Sequence, residues 1–127
     1  MAAAKERKID DVMAKATEAL ARTDYFEAER LCEQSLAIAR QEADFERMAR
    51  IVLPLQEARR LRFQAAIDVG KIRIVDKTVT DEVKVEAGCY LVQPPQVGAD
   101  ARRLRMAALQ QKKAVVVLCR EPLTMLK

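Results

Sequence analysis

The chain has 127 residues, with 23 Lys+Arg against 19 Asp+Glu; half of it is hydrophobic and a third is charged. That balance suits one ordinary domain or two small folded units and excludes wholesale disorder. There is no His and no Trp, which excludes imidazole acid–base catalysis and most catalytic zinc sites.

The charge is unevenly placed. Residues 1–65 hold 12 basic and 12 acidic side chains, whereas residues 66–127 hold 11 basic and 7 acidic, so the net +4 sits in the second half. The three cysteines, Cys32, Cys89 and Cys119, are odd in number and far apart, with no CxxC pair. They read as small buried thiols in a reducing compartment, neither a disulfide framework nor a metal site. No signal-peptide core and no bilayer-length apolar run occurs in the sequence, so a cytoplasmic protein without membrane contact is expected.

The first half, to about Ala66, has no Gly and a single Pro. Ile9, Val12, Met13, Ala16 and Leu20 recur at helical spacing and predict a first amphipathic helix. Asp24 is placed to cap a second helix beginning near Tyr25, with Glu27 three residues on. Its apolar stripe is Ala28, Leu31, Cys32, Ser35, Leu36 and Ala39. A third helical segment is expected from about Asp44 to Ala66, kinked or broken at Pro54, which lacks a backbone donor.

The run TDYFEAERLCEQSLAIAR resembles the turn and second helix of a tetratricopeptide repeat, with Asp24, Tyr25, Glu27, Ala28 and Leu36 matching. Ala16 falls at the small position of the first helix. The pattern departs at Val12, Lys15, Cys32, Ser35 and Arg40, where the family favours Trp, Leu, an aromatic, Ala and Pro. The match covers about residues 9–40. A 34-residue step from Ala16 and Ala28 reaches Arg50 and Arg62, so no second repeat follows. The third helix would then cap the hairpin's open face. A generic αα-hairpin with an Ala-rich seam suits the same residues. The resemblance implies a protein-binding surface, but one hairpin carries none of the family's ligand-contact residues. The candidate partner surface is Tyr25, Phe26 and Arg30, with Phe26 expected to be exposed off the apolar stripe.

From Gly70 the chain turns rich in β-branched residues. Alternation predicts strands at Ile72–Ile74 and Val83–Val85, joined by a turn over 76–81. Cys89-Tyr90-Leu91-Val92 and the run 114–119 are continuous apolar segments, expected as strands buried on both faces. Between them lies a helix over 101–113 with Asp100 as its N-cap. Strand, helix, strand is a βαβ unit with parallel strands. Its crossover helix covers one face of the sheet, and the helical first half is expected to cover the other. An exposed apolar edge strand would invite a second copy of the chain, or mark a larger protein of which this is a part.

The fold expected is therefore α+β or α/β. A helical hairpin plus third helix (1–66) packs on a small sheet (67–127) containing one βαβ unit, truncated or completed by a partner chain. The leading functional reading is a non-enzymatic interaction or scaffold module that binds a protein partner or a second copy. No cofactor is implied, because the chain lacks both GxGxxG and GxxxxGK[ST], and no metal, because it has no His and no CxxC pair. Two alternatives stand beside it. One is a ligand site beyond the strand ends, using Gln93, Gln96, Gly98, Asp100 and Arg120, the last in the turn Arg120-Glu121-Pro122. The other is weak nucleic-acid binding by the basic helix through Arg102, Arg103, Arg105, Lys112 and Lys113.

Overall fold

The computed structural model describes residues 2–120. Glu121 and Pro122, expected to end the last strand, lie outside them. The chain divides into two compact units, the first running to Arg62 and the second starting at Phe63. Helices and a small parallel sheet give the mixed fold expected from the sequence.

The first unit contains α1 (Ala2–Ala21), α2 (Tyr25–Gln41) and most of α3 (Phe45–Asp68). The periodic stripes meet in its interior: Ile9, Val12 and Ala16 of α1, Leu31, Cys32 and Ala39 of α2, and Ile51 and Leu55 of α3 form one buried cluster. A second seam is all alanine, Ala19, Ala28 and Ala58, each at most 1% exposed. Alanine at these crossings lets the helix backbones approach closely, so any larger side chain would force them apart. Ser35 is fully buried and its Oγ has no hydrogen-bond partner among the described residues.

The two helix connections are built alike, twenty residues apart. Thr23 (φ 57) and Ala43 (φ 51) take the left-handed conformation that ends α1 and α2. Asp24 N then donates to Ala19 O at 2.8 Å, and Asp44 N to Ala39 O at 2.9 Å. The same two aspartates cap the next helix: Asp24 accepts from Glu27 N at 3.4 Å and Asp44 from Arg47 N at 3.1 Å. The start of α2 at Tyr25 is thus as the sequence predicts. Ion pairs tie the ends. Arg47 reaches both Asp10 oxygens and Asp44, each at 3.1 Å. Arg62 grips the buried Glu29 at 3.0 and 3.2 Å.

Pro54 does not break α3, which runs unbroken from Phe45 to Asp68. The half-buried proline sits between Ile51 and Leu55, and both are anchored in the same core. Tertiary packing on either side of the missing donor outweighs its cost, as is usual for helices in proteins.

The second unit contains the end of α3, then β1 (Ile72–Val75), β2 (Gly88–Val92), α4 (Gly98–Gln110) and β3 (Val115–Cys119). The sheet order is β1-β2-β3 and both pairings are parallel, so the βαβ unit is as expected. Gly88 opens β2 at φ 138, and a Cβ there would stand 3.0 Å from Arg73 Nη1. The face carrying Val75, Tyr90, Val92, Val115 and Val117 packs on Ala101, Leu104, Ala107 and Ala108 of α4.

The expected strand at Val83–Val85 does not form. β1 pairs directly with β2, so residues 76–87 must carry the chain back along the sheet, and no strand lies beside them. Val79 and Val85 still enter the core, so the alternation correctly marked an inward-facing set. The Gln111 amide takes the place of a neighbouring strand. Its Oε1 accepts from Val85 N at 2.9 Å and its Nε2 donates to Val83 O at 2.7 Å. Tyr90 OH likewise accepts from Glu86 N at 3.1 Å and donates to Glu86 O at 2.6 Å.

A left-handed alanine is disfavoured by about 1–2 kcal/mol, and glycine's extra freedom in the unfolded chain offsets part of that difference. Ala43→Gly is therefore expected to raise the unfolding free energy by about 0.5–1 kcal/mol. Urea denaturation measures it, and a loss of stability would contradict the turn.

Candidate functional site

Three sets of residues stand out from the sequence, at the start of α2, at the strand ends and along α4. Tyr25 and Phe26 open α2 in the first unit. Both are half-buried, with ring centroids 5.0 Å apart and planes tilted by 47°. Arg30 is exposed but holds Glu27, its Nε donating to Oε2 at 3.0 Å and its Nη2 to Oε1. That carboxylate raises the Arg30 pKa above its usual value, mainly through the hydrogen bond. The patch offers an aromatic edge and a guanidinium already fixed by its neighbour.

The strand-end set holds the loops together. Asp100 is not the N-cap of α4 but its third residue, since the helix begins at Gly98 and Val97 takes the cap position. Helix formation starts earlier because the Asp100 carboxylate can reach back over the first turn. Oδ2 accepts from Val97 N at 3.0 Å, while Oδ1 accepts from Val79 N at 3.1 Å. Asp100 is buried, and these two backbone donors hold its pKa below the usual carboxylate range, with the nearby Arg103 adding to the effect. Gln96 is buried too, and with its amide turned so that the nitrogen faces the two carbonyls, it donates to Gln93 O at 3.3 Å and Asp76 O at 3.2 Å. Gly98 opens the helix in uncrowded space. Arg120 is exposed, and its backbone N–H donates to Val92 O at 2.8 Å. The buried polar groups of this set therefore already hold the loop after β1 against the loop after β2.

The basic set lies on the solvent side of α4. Arg102, Arg103 and Arg105 are exposed there, followed by Lys112 and Lys113 in the turn after the helix. Arg103 lies 3.8 Å from both Asp81 and Asp100. Arg105 Nη1 reaches Val117 O at 3.5 Å.

A fourth surface was not singled out from the sequence. The sheet face opposite α4 carries two rows set by the strand register: Ile72, Cys89 and Val116, then Ile74, Leu91 and Leu118. Every side chain on it is apolar. Ile72 is 75% exposed, Ile74 60% and Leu118 63%, while Cys89, Leu91 and Val116 are half-buried. The end of α3 approaches one row, where Cys89 Sγ lies 3.9 Å from Ala66 O. Exposed Phe63 and Ile67 belong to the same stretch of helix. The expectation of strands buried on both faces holds for one face alone. The sequence signal was present in the β-branched run, but alternation cannot say which face of a short strand lacks a cover.

Cys32 is buried, and burial first, then Glu29 and Glu33, pushes its thiol above the usual value. That is the opposite of what activates a nucleophile. Among the described residues no three His, Cys, Asp or Glu gather to hold a metal ion. None of the helices is long and apolar enough to cross a membrane, again among the described residues. No family model matches the sequence, and no curated protein and no solved structure matches it either.

A carboxylate with a depressed folded pKa stabilises the fold above its unfolded pKa, and that contribution is lost as pH falls through the folded value. Asp100→Asn is therefore expected to lower the urea midpoint at pH 7. The gap to the native chain should close as pH drops below about 4. A gap independent of pH would show that the Asp100 charge does not hold Val79 and Val97.

Proposed function

We propose that the chain is a non-enzymatic interaction module that binds a protein partner through the open face of its sheet. The observation that carries the reading is the uncharged row Ile74–Leu91–Leu118, exposed at both ends beside Ile72. Contiguous exposed apolar surface on a small protein is costly to keep and marks a contact site. Three strands spaced by about 4.8 Å, each about four residues long, make a footprint roughly 14 Å on a side. That is close to the width of one helix with its side chains, about 10–12 Å. It falls short of the roughly 800 Å² per partner that a stable dimer interface takes. The occupant proposed is therefore an amphipathic helix of another protein, laid on the sheet as α4 is on the opposite face.

The helical hairpin of α1 and α2 supports the same class of function. Its likeness to a tetratricopeptide unit suggests a scaffold role, with Tyr25, Phe26 and Arg30 as a lesser contact patch. Three free cysteines fit a reducing, cytoplasmic setting.

Ile74→Lys with Leu118→Lys tests the reading. Both sites are exposed, so the thermal midpoint is expected to stay within a few degrees of the native chain. Affinity capture from the source cell is expected to lose at least one partner that the native chain retains. Identical recovery of every protein by both folded chains would contradict the proposal.

A further inference from the structure

The solvent side of α4 joins exposed charge to exposed apolar surface. Arg102, Met106 and Leu109 recur at i, i+4 and i+7, which places them in one stripe along the centre of that side. Met106 is 48% exposed and Leu109 50%. Arg103 flanks the stripe on one side and Arg105 on the other. Beside Met106 lies a shallow depression of about 430 Å³, rimmed by Arg102, Arg103, Gln110 and Asp81. Ala99 and Ala107 line it too, two small side chains that leave room for a larger one from outside.

Apart from Arg103, which has Asp81 and Asp100 at 3.8 Å, the charge on this side is unmatched within the described residues. Most arginines of α2 and α3 hold a carboxylate, as Arg47 and Arg62 do. Arg102, Arg105, Lys112 and Lys113 have no carboxylate within 4 Å among the described residues, and the sole acid of α4, Asp100, faces the core. The second half of the chain carries the whole net charge.

We infer that this outer side of α4 docks an acidic protein segment with apolar anchor residues. Carboxylates would pair with Arg102, Arg105 and the lysines, and an apolar side chain would enter the depression against Met106. Charge complementarity selects the occupant and sets the rate of encounter, while the apolar anchor provides the lasting contact. A nucleic acid fits less well. Its phosphates need cations but not Met106 and Leu109, and the face has no aromatic side chain on which a base could stack. Methionine suits an anchor of unspecified shape because it repacks readily. The inference rests on the reading of the chain as an interaction module but concerns a different face, so the two can fail separately.

Fluorescence anisotropy with the full chain tests it. The probe is a labelled helical peptide of about sixteen residues with Leu at i, i+4 and i+7 and Glu on both flanks. The comparison ligands are the same peptide with Gln for Glu, polyglutamate, a short DNA duplex and vesicles containing anionic lipid. The acidic peptide is expected to bind tightest and to weaken with added salt. Arg102→Gln with Arg105→Gln, and separately Met106→Ser with Leu109→Ser, should each weaken it by about tenfold. All four side chains are exposed, so the fold tolerates these changes. Ile74→Lys with Leu118→Lys should leave its affinity unchanged. The inference is overturned if the Gln peptide binds equally well, or if DNA or vesicles bind tighter. It is also overturned if the sheet-face variant alone abolishes binding, or if the acidic peptide does not bind the native chain.

Discussion

A parallel sheet needs a cover on each face, and the second unit brings one crossover helix for its three strands. Every strand-to-strand step in such a sheet must return the chain to the starting end. The step from β2 to β3 does so with α4, which covers one face. The step from β1 to β2 does so with residues 76–87, which form no helix or strand. That segment turns Val79 and Val85 inward onto the face already covered by α4. The opposite face thus receives no helix from either crossover, and Ile72, Ile74 and Leu118 stand in solvent. The principal functional reading depends on this one asymmetry.

The polar residues of the unit follow from the same constraint. A crossover without its own hydrogen-bond ladder leaves backbone donors and acceptors that must be satisfied. Asp100 takes Val79 N, Gln111 takes Val85 N and Val83 O, and Tyr90 takes both groups of Glu86. Of the groups the sequence offered for a ligand at the strand ends, Asp100 and Gln96 are committed to this task, whereas Gly98 and the Arg120 side chain are not. What remains free on the outside is apolar on the open sheet face and basic on α4.

Where burial and local capping decide an element, the sequence was readable. The stripes Ile9–Ala16 and Leu31–Ala39 lie in the core of the first unit, and Asp24 opens α2. The runs at 89–92 and 115–119 are parallel strands flanking a helix. Elements decided by distant partners were not readable. Pro54 signals a break locally, but Ile51 and Leu55 hold the helix across it. Val83-Lys84-Val85 has the alternation of a strand, yet strandhood needs a neighbour, and the neighbour here is one glutamine side chain 28 residues away. Asp100 resembles a cap because it does accept a helix-terminal N–H, only from the third helical position. The open sheet face escaped notice because exposure is a property of the assembled unit, not of any strand in it.

The most direct test is to ask whether that face is open in solution. Methyl-labelled chain can be titrated with a soluble paramagnetic chelate that broadens the signals of exposed groups. The account predicts strong broadening at Ile72, Ile74 and Leu118, and little at Val79, Val85, Val92 and Val117 on the packed face. Protection of Ile74 and Leu118 comparable with that of Val92 would mean that the sheet is already covered, and would contradict the account at its centre.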